Sequence, residues 1–236
     1  MKIIKFYSPN FVKKKRPYNS IKVLVIHYTG MQSERESINR LRNKNSEVSS
    51  HFLITQNGKV YRLVDDNRIA WHAGKSHWGK YKNLNKNSIG IELVNKGHKF
   101  GYTNFKKKQL LSLITVCKQL IKKYKIKKRN IVGHSDIAPS RKIDPGEKFP
   151  WKELANKKIG IWHNCKMDAL KKFRKVNATS NDKIKFSKYI YRMGYRYSLK
   201  KHKVIKAFQR HFRKELINGI IDKECLVIAQ NLSKKH

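Results

Sequence analysis

The chain has 236 residues, 39% of them hydrophobic, which suffices for one substantial domain with its own core and a smaller one beside it. Lys and Arg number 56 against 15 Asp and Glu, a formal net charge of +41, so polyanions are its natural company: nucleic acid, anionic lipid or an acidic wall polymer. Cys117, Cys165 and Cys225 are far apart and form no CxxC pair, which excludes a disulfide framework and a thiolate zinc site.

The charge also has a plain origin. It is mostly Lys, spread along the whole chain beside many Ile and Asn, the residues that AT-rich coding favours. Two basic runs, Val12–Arg16 and Ile126–Asn130, come without a nucleic-acid recognition motif, so non-specific attraction and no specific nucleic-acid partner are expected. The first twenty residues start basic but lack an apolar core and a small-residue cleavage site, so no signal peptide is expected. No run is long and apolar enough to span a membrane.

In chain order, Ile21–Tyr28 ("IKVLVIHY") is a β-branched run that predicts a buried strand. Ser33 followed by Glu36 makes a capping box, which predicts a helix carrying Ile38 and Leu41. His51–Val64 predicts two strands around the turn pair Asn57-Gly58. Ser88–Val94 predicts another buried strand. Residues 104–125 predict the clearest helix, with Leu110, Leu113, Ile114, Cys117, Leu120, Ile121 and Tyr124 on one face and lysines on the other. A short strand over 130–133 leads into a polar, proline-rich stretch expected as a loop, with a short helix at Trp151. Beyond Trp162 the chain turns polar, with "NATSND" as the expected linker. Three short helices follow, over 183–195, over 201–213 with Val204, Ile205, Phe208 and Phe212 on one face, and after a cap at Asp222. The expected fold is α/β: a mixed central β-sheet flanked by helices, plus a small C-terminal three-helix domain. The expected division is 1–162, a linker over 163–183, and 184–236.

The 132–151 stretch concentrates the chemistry. His134 and Asp144 are both metal-ligand types, and Pro145-Gly146 would fix the carboxylate in a turn. His27, at the end of a strand, is the candidate third ligand, and three protein ligands with one open position is how catalytic zinc is held. Spacing alone leaves the plain alternatives standing: a strand-end histidine and an ordinary Asp-Pro-Gly turn.

Five stretches in order, "VLVIHYTG" (Val23–Gly30), "VSSHFLITQNGKVYRLV" (Val48–Val64), "AWHAG" (Ala70–Gly74), "SIGIELVN" (Ser88–Asn95) and "GHSDIAPSRKIDPGEKFPW" (Gly133–Trp151), resemble the zinc-dependent N-acetylmuramoyl-L-alanine amidases of the type 2 family. These are relatives of the peptidoglycan recognition proteins and of phage T7 lysozyme. The resemblance implies zinc held by His27, His134 and Asp144. It implies that Glu92 activates water and that Lys142 stabilises the oxyanion. His51, His72 and Arg141 lie within the matched motifs and are expected to meet substrate or to support the ligands. The pattern Phe208-Gln209 followed by Gly219 to Asp222 resembles the three-helix peptidoglycan-binding domain, with Cys225 departing from it.

The implied reaction is hydrolysis of the amide between N-acetylmuramic acid, in its 1,6-anhydro form or not, and L-alanine of the stem peptide. Peptidoglycan or muropeptide is the implied partner, and a monomer is expected. The alternative is a protein that binds muropeptides without cutting them, as members of the wider fold do when a zinc ligand is lost. The substrate implies the cell envelope, while the lack of an export signal leaves cytoplasmic recycling open.

Overall fold

The β-branched and aromatic runs of the first 133 residues pair into one six-stranded sheet and two small two-stranded ones, seen in a computed structural model that describes residues 2–196 and 201–234; the six-stranded sheet is the central one. Its strands are β1 (Ile3–Lys5), β2 (Val23–Tyr28), β3 (Phe52–Ile54), β4 (Val60–Arg62), β5 (Ser88–Leu93) and β6 (Ile131–Gly133), in the order β1-β4-β3-β5-β2-β6. Only β3 and β4 run antiparallel; every other neighbouring pair is parallel. The mixed sheet is as expected. The β3–β4 hairpin turns where Asn57-Gly58 predicts, with Gly58 N–H donating to Thr55 O at 3.0 Å.

Strand alternation sorts the two faces. Leu24 and Ile26 of β2, with Ile89, Ile91 and Leu93 of β5, share one apolar cluster with Leu113, Val116, Cys117 and Leu120. The latter four belong to the long helix Lys107–Tyr124, whose lysines stay in water. The other face carries Val23 and Val25, and at its end His27, which pairs in register with Glu92.

The helices are α1 (Glu34–Arg42), α2 (Lys107–Tyr124), α3 (His134–Ile137), α4 (Trp151–Asn156), α5 (Met167–Phe173), α6 (Ser180–Met193), α7 (Lys201–Phe212) and α8 (Lys223–Ser233). Ser33 Oγ accepts from Glu36 N–H, and the Glu36 carboxylate accepts from Gln32 N–H, each at 3.1 Å, so α1 begins as its sequence predicts.

The C-terminal helices fall where expected, but the stretch read as a linker does not stay extended. It holds α5 and the first turn of α6. Thr179 N–H donates to Asp182 Oδ2 at 2.8 Å, and Thr179 Oγ1 accepts from Asp182 N–H at 3.2 Å. "NATSND" thus contains a helix start, a Thr-x-x-Asp box whose polarity resembles that of a loop. The packing does not divide at this stretch either. Val23, Val25, Trp78, Val132 and Ile137 lie in the same buried cluster as Phe186, Phe208, Phe212 and Ile228.

The Phe-Gln and Gly-x-x-Asp residues have a clear local task. Gln209 Nε2 donates to Ile220 O and Gln209 Oε1 accepts from Gly219 N–H, both at 2.8 Å, which pins the turn between α7 and α8. Asp222 caps α8 by accepting from Cys225 N–H at 2.9 Å, and its other oxygen pairs with the buried Arg213 at the same distance. Cys117 and Cys225 form no disulfide, and burial pushes their thiols up to about 12.

Because both parts share a core, Phe208→Ala should cost about 3–5 kcal/mol, as for other buried Phe truncations. Denaturant unfolding should lose that amount in one transition seen alike by far-UV circular dichroism and by tryptophan fluorescence.

Candidate metal centre

The parallel strands β2 and β6 end side by side, with Gly133 opposite Ile26. His27 therefore lies next to the start of α3, whose first residue is His134. The stretch expected wholly as a loop begins as this helical turn. The chain then loops back to Asp144. Ser135 N–H donates to Asp144 O at 2.8 Å, tying together the segments that carry His134 and Asp144. Gly133 is needed here, since a Cβ on it would sit 2.6 Å from Pro145 Cδ.

Three donor atoms meet at the end of the strands. His27 Nδ1 is 3.0 Å from His134 Nδ1 and 3.0 Å from Asp144 Oδ2, and His134 Nδ1 is 3.1 Å from the same oxygen. Ligands held tetrahedrally at about 2.0–2.1 Å from a metal would stand about 3.3 Å apart, close to this triangle. Among the described residues, this is the one group of three His, Cys, Asp or Glu side chains whose donor atoms lie within 4.8 Å of one another.

The surroundings decide which ring nitrogens carry hydrogen. His134 Nε2 faces the Ala73 carbonyl at 3.3 Å, so it is the donor and Nδ1 holds the lone pair. His27 Nε2 faces His72 Nδ1 at 3.0 Å. His72 Nε2 in turn faces Ser88 Oγ at 3.1 Å, and that hydroxyl donates to Leu84 O. Read back from Leu84, His72 donates through Nε2 and accepts through Nδ1, so His27 donates to it and keeps its own Nδ1 lone pair free.

Charge agrees with this assignment. Burial and the neighbouring His134 lower the pKa of His27 to about 4, against the pull of Asp144, so its ring is neutral at pH 7. Burial would raise the Asp144 carboxyl, but the two histidines outweigh it and hold it well below the usual carboxylate range. With both Nδ1 lone pairs free, the two imidazoles and the carboxylate aim lone pairs at one buried point. They repel one another unless a cation lies between them, which is the chemistry of a divalent metal site.

Glu92 stands beside His27 on the adjacent strand, on the wall of the same groove of about 340 Å³. Its Oε2 is buried without a hydrogen-bond partner. Burial, then the Asp144 charge, push its carboxyl up to about 8, while Lys142 across the groove opposes the rise. His72 also faces the groove and braces His27. Arg141 lines it too, but its guanidinium is spent on backbone: Nη2 donates to Ala73 O and, at 2.9 Å, to Lys75 O. It thereby steadies the carbonyl that orients His134.

His51 lies one layer behind the other expected residues, its ring edge-on to His72 with centroids 5.6 Å apart. It is fully buried and away from the groove wall, with Nδ1 accepting from Gly90 N–H at 3.0 Å and Nε2 beside Arg16. With no exposed surface it cannot meet substrate. The sequence assigns no role to Asp136, Tyr195 or His211, whose side chains meet behind α3. Only Asp136 had a local signal, as an acid three residues after the strand-end Gly133.

The N-acetylmuramoyl-L-alanine amidase family model matches residues 17–147, which span every groove residue named above. The chain belongs to that family. N-acetylmuramoyl-L-alanine amidase AmiD of Escherichia coli is 39% identical over 236 residues, covering 93% of this chain and 84% of that protein. The 1,6-anhydro-N-acetylmuramyl-L-alanine amidase AmpD of Haemophilus influenzae is 36% identical over 61% of this chain and 85% of its own length. Among solved structures, E. coli AmiD with the substrate anhydro-N-acetylmuramic acid-L-Ala-D-gamma-Glu-L-Lys superposes with a TM-score of 0.81 at 36% identity, covering 95% of this chain and 92% of that one. AmpDh3 of Pseudomonas aeruginosa also gives 0.81, at 30% identity and 98% coverage of both chains. The last two likenesses run through the C-terminal helices as well as the amidase sheet.

Gly90 offers a test of the bracing around His27. A Cβ there would lie 2.5 Å from the His72 ring. Gly90→Ala should push that ring off His27 and weaken divalent-metal affinity about 10–100-fold, the usual effect of losing an outer partner of a ligand. Competition against a chromophoric chelator reads it.

Proposed function

We propose that His27, His134 and Asp144 hold one zinc ion, and that Glu92 and Lys142 are the catalytic residues beside it. The protein is an amidase that hydrolyses the bond between N-acetylmuramic acid and L-alanine of the peptidoglycan stem peptide, in cell-wall turnover or recycling. The observation that carries the residue assignment is the set of three buried lone pairs converging at 3.0–3.1 Å beside an unpartnered carboxylate.

Zinc held there supplies Lewis acidity, polarising the scissile carbonyl and easing deprotonation of water. The chain's own residues do the rest. Glu92 takes a proton from the attacking water and returns it to the departing L-alanine amine. Its carboxyl, raised toward 8 without a cation, is drawn back toward the ionised form by positive charge nearby, which sets it between base and acid. Lys142 places an ammonium where the carbonyl oxygen becomes negative. The Ala73 carbonyl and His72 fix which nitrogen each ligand imidazole presents. The groove wall between these groups and α1 is where the muropeptide lies, with anhydromuropeptides of the kind bound to AmiD and AmpDh3 as the first substrates to try.

A complete donor set with an acid beside it favours cutting over binding alone. The purified protein should carry about one zinc per chain, and a chelator should abolish release of stem peptide. Asp144→Ala should lose both metal and activity; full activity in that variant would sink the ligand assignment. Glu92→Gln should keep its zinc while kcat drops about 10²–10⁴-fold, the span expected for a general base. Lys142→Ala should lower kcat about 10²–10³-fold with metal content unchanged.

A further inference from the structure

We propose that the C-terminal helices act on the reaction itself, with His211 and Tyr195 as positioning residues that hold the metal ligand His134 through Asp136. The proposal rests on the zinc amidase reading given above. Asp136 is buried two residues beyond His134 in α3. Its carboxylate accepts three hydrogen bonds from three parts of the chain. Gly133 N–H donates at 2.7 Å, the Tyr195 hydroxyl at 2.6 Å and His211 Nδ1 at 2.7 Å. Gly133 immediately precedes the ligand, so Asp136 fixes the backbone from which His134 projects. Tyr195 follows the end of α6, and His211 lies on α7. These C-terminal residues in turn fix Asp136.

The grip extends along the whole metal-binding stretch. The His211 ring stacks on Trp151, with centroids 3.9 Å apart and planes 16° off parallel. Trp151 begins α4, where the stretch ends. Between these points Arg210 Nε lies 3.7 Å from Glu147 Oε2, three residues after the ligand Asp144. Two adjacent residues of α7 thus touch the stretch at its start, just beyond Asp144 and at its end. The stretch needs such support. A four-residue helix has almost no stability of its own, since one turn's hydrogen bonds do not offset its nucleation cost. A buried carboxylate also has to be satisfied, and here two of its three donors come from beyond residue 190.

This differs from the role that the resemblance to a wall-binding module suggests. A tether raises local substrate concentration on a polymer and leaves turnover of a small soluble substrate untouched. A positioning device changes metal affinity and turnover whatever the substrate size.

The test uses the full chain and four forms: wild type, Tyr195→Phe, the double variant Tyr195→Phe/His211→Phe, and His211→Asn. Phe at 211 keeps a ring on Trp151 but removes the donor. Asn at 211 puts an amide nitrogen where Nδ1 stands. Zinc affinity is measured by chelator competition, and kcat and KM on a soluble anhydromuropeptide and on sacculi, with melting curves as the folding control. The double variant should lose about tenfold or more in zinc affinity and in kcat on both substrates, with KM within about twofold, and His211→Asn should recover most of the loss. The proposal is overturned if zinc affinity and kcat stay within about twofold of wild type in the folded double variant, or if the only change is a higher KM on sacculi. Tyr195→Phe removes a single oxygen and carries the same comparison where the double variant does not fold. Should wild type release no peptide, the amidase reading fails, and the zinc-affinity comparison still decides the clamp.

Discussion

Two imidazole lone pairs and a carboxylate aimed at one buried point define this molecule more than any other contact. Left alone, they repel. The fold exists in a form that forces them together, and most of its particular features serve that end. Parallel pairing of β2 with β5 and β6 brings His27, Glu92 and the strand end before His134 to one corner. The backbone bond from Ser135 to Asp144 closes the ten-residue return that carries the third donor back. The apolar cluster under α2 anchors the sheet rigidly from the opposite face.

Around that point lies a layer of groups that set orientation instead of charge. Ala73 fixes His134, Arg141 fixes Ala73, His72 fixes His27, and Ser88 with Leu84 fixes His72. Arg16 shows how deep this goes. It closes one of the two basic runs, yet it is buried. Its guanidinium donates to the carbonyls of Asp66 at 3.0 Å and Ser88 at 2.7 Å, so one residue of an apparently solvated charge run is a strut of the active-site scaffold.

How much of this the chain displays locally varies with the range of the interaction. The strand at Val23–Tyr28, the helix capped by Ser33 and the amphipathic α2 are each encoded within a dozen residues, and each stands as expected. His27 and His134 stood out as candidate ligands from residue type and position, but the family resemblance was needed to raise them above plain alternatives, because a strand-end histidine alone carries no sign of its partners 107 and 117 residues away. β1 was missed because its three residues are stabilised by parallel pairing with a strand almost sixty residues later. His51 shows the converse: the matched motif alone does not say whether it meets the groove or backs it, and in the fold it lies between Arg16 and the His72 ring, behind the groove wall. The linker misled because capping residues and loop residues are the same residues, and only the Thr179–Asp182 spacing tells them apart.

Two of the cysteines are locked into the core. Cys117 lies in the α2 cluster and Cys225 beneath Gln209, both sealed from solvent as protonated thiols with nothing to exchange with. A disulfide through Cys117 or Cys225 would therefore require the apolar cluster around that thiol to open first.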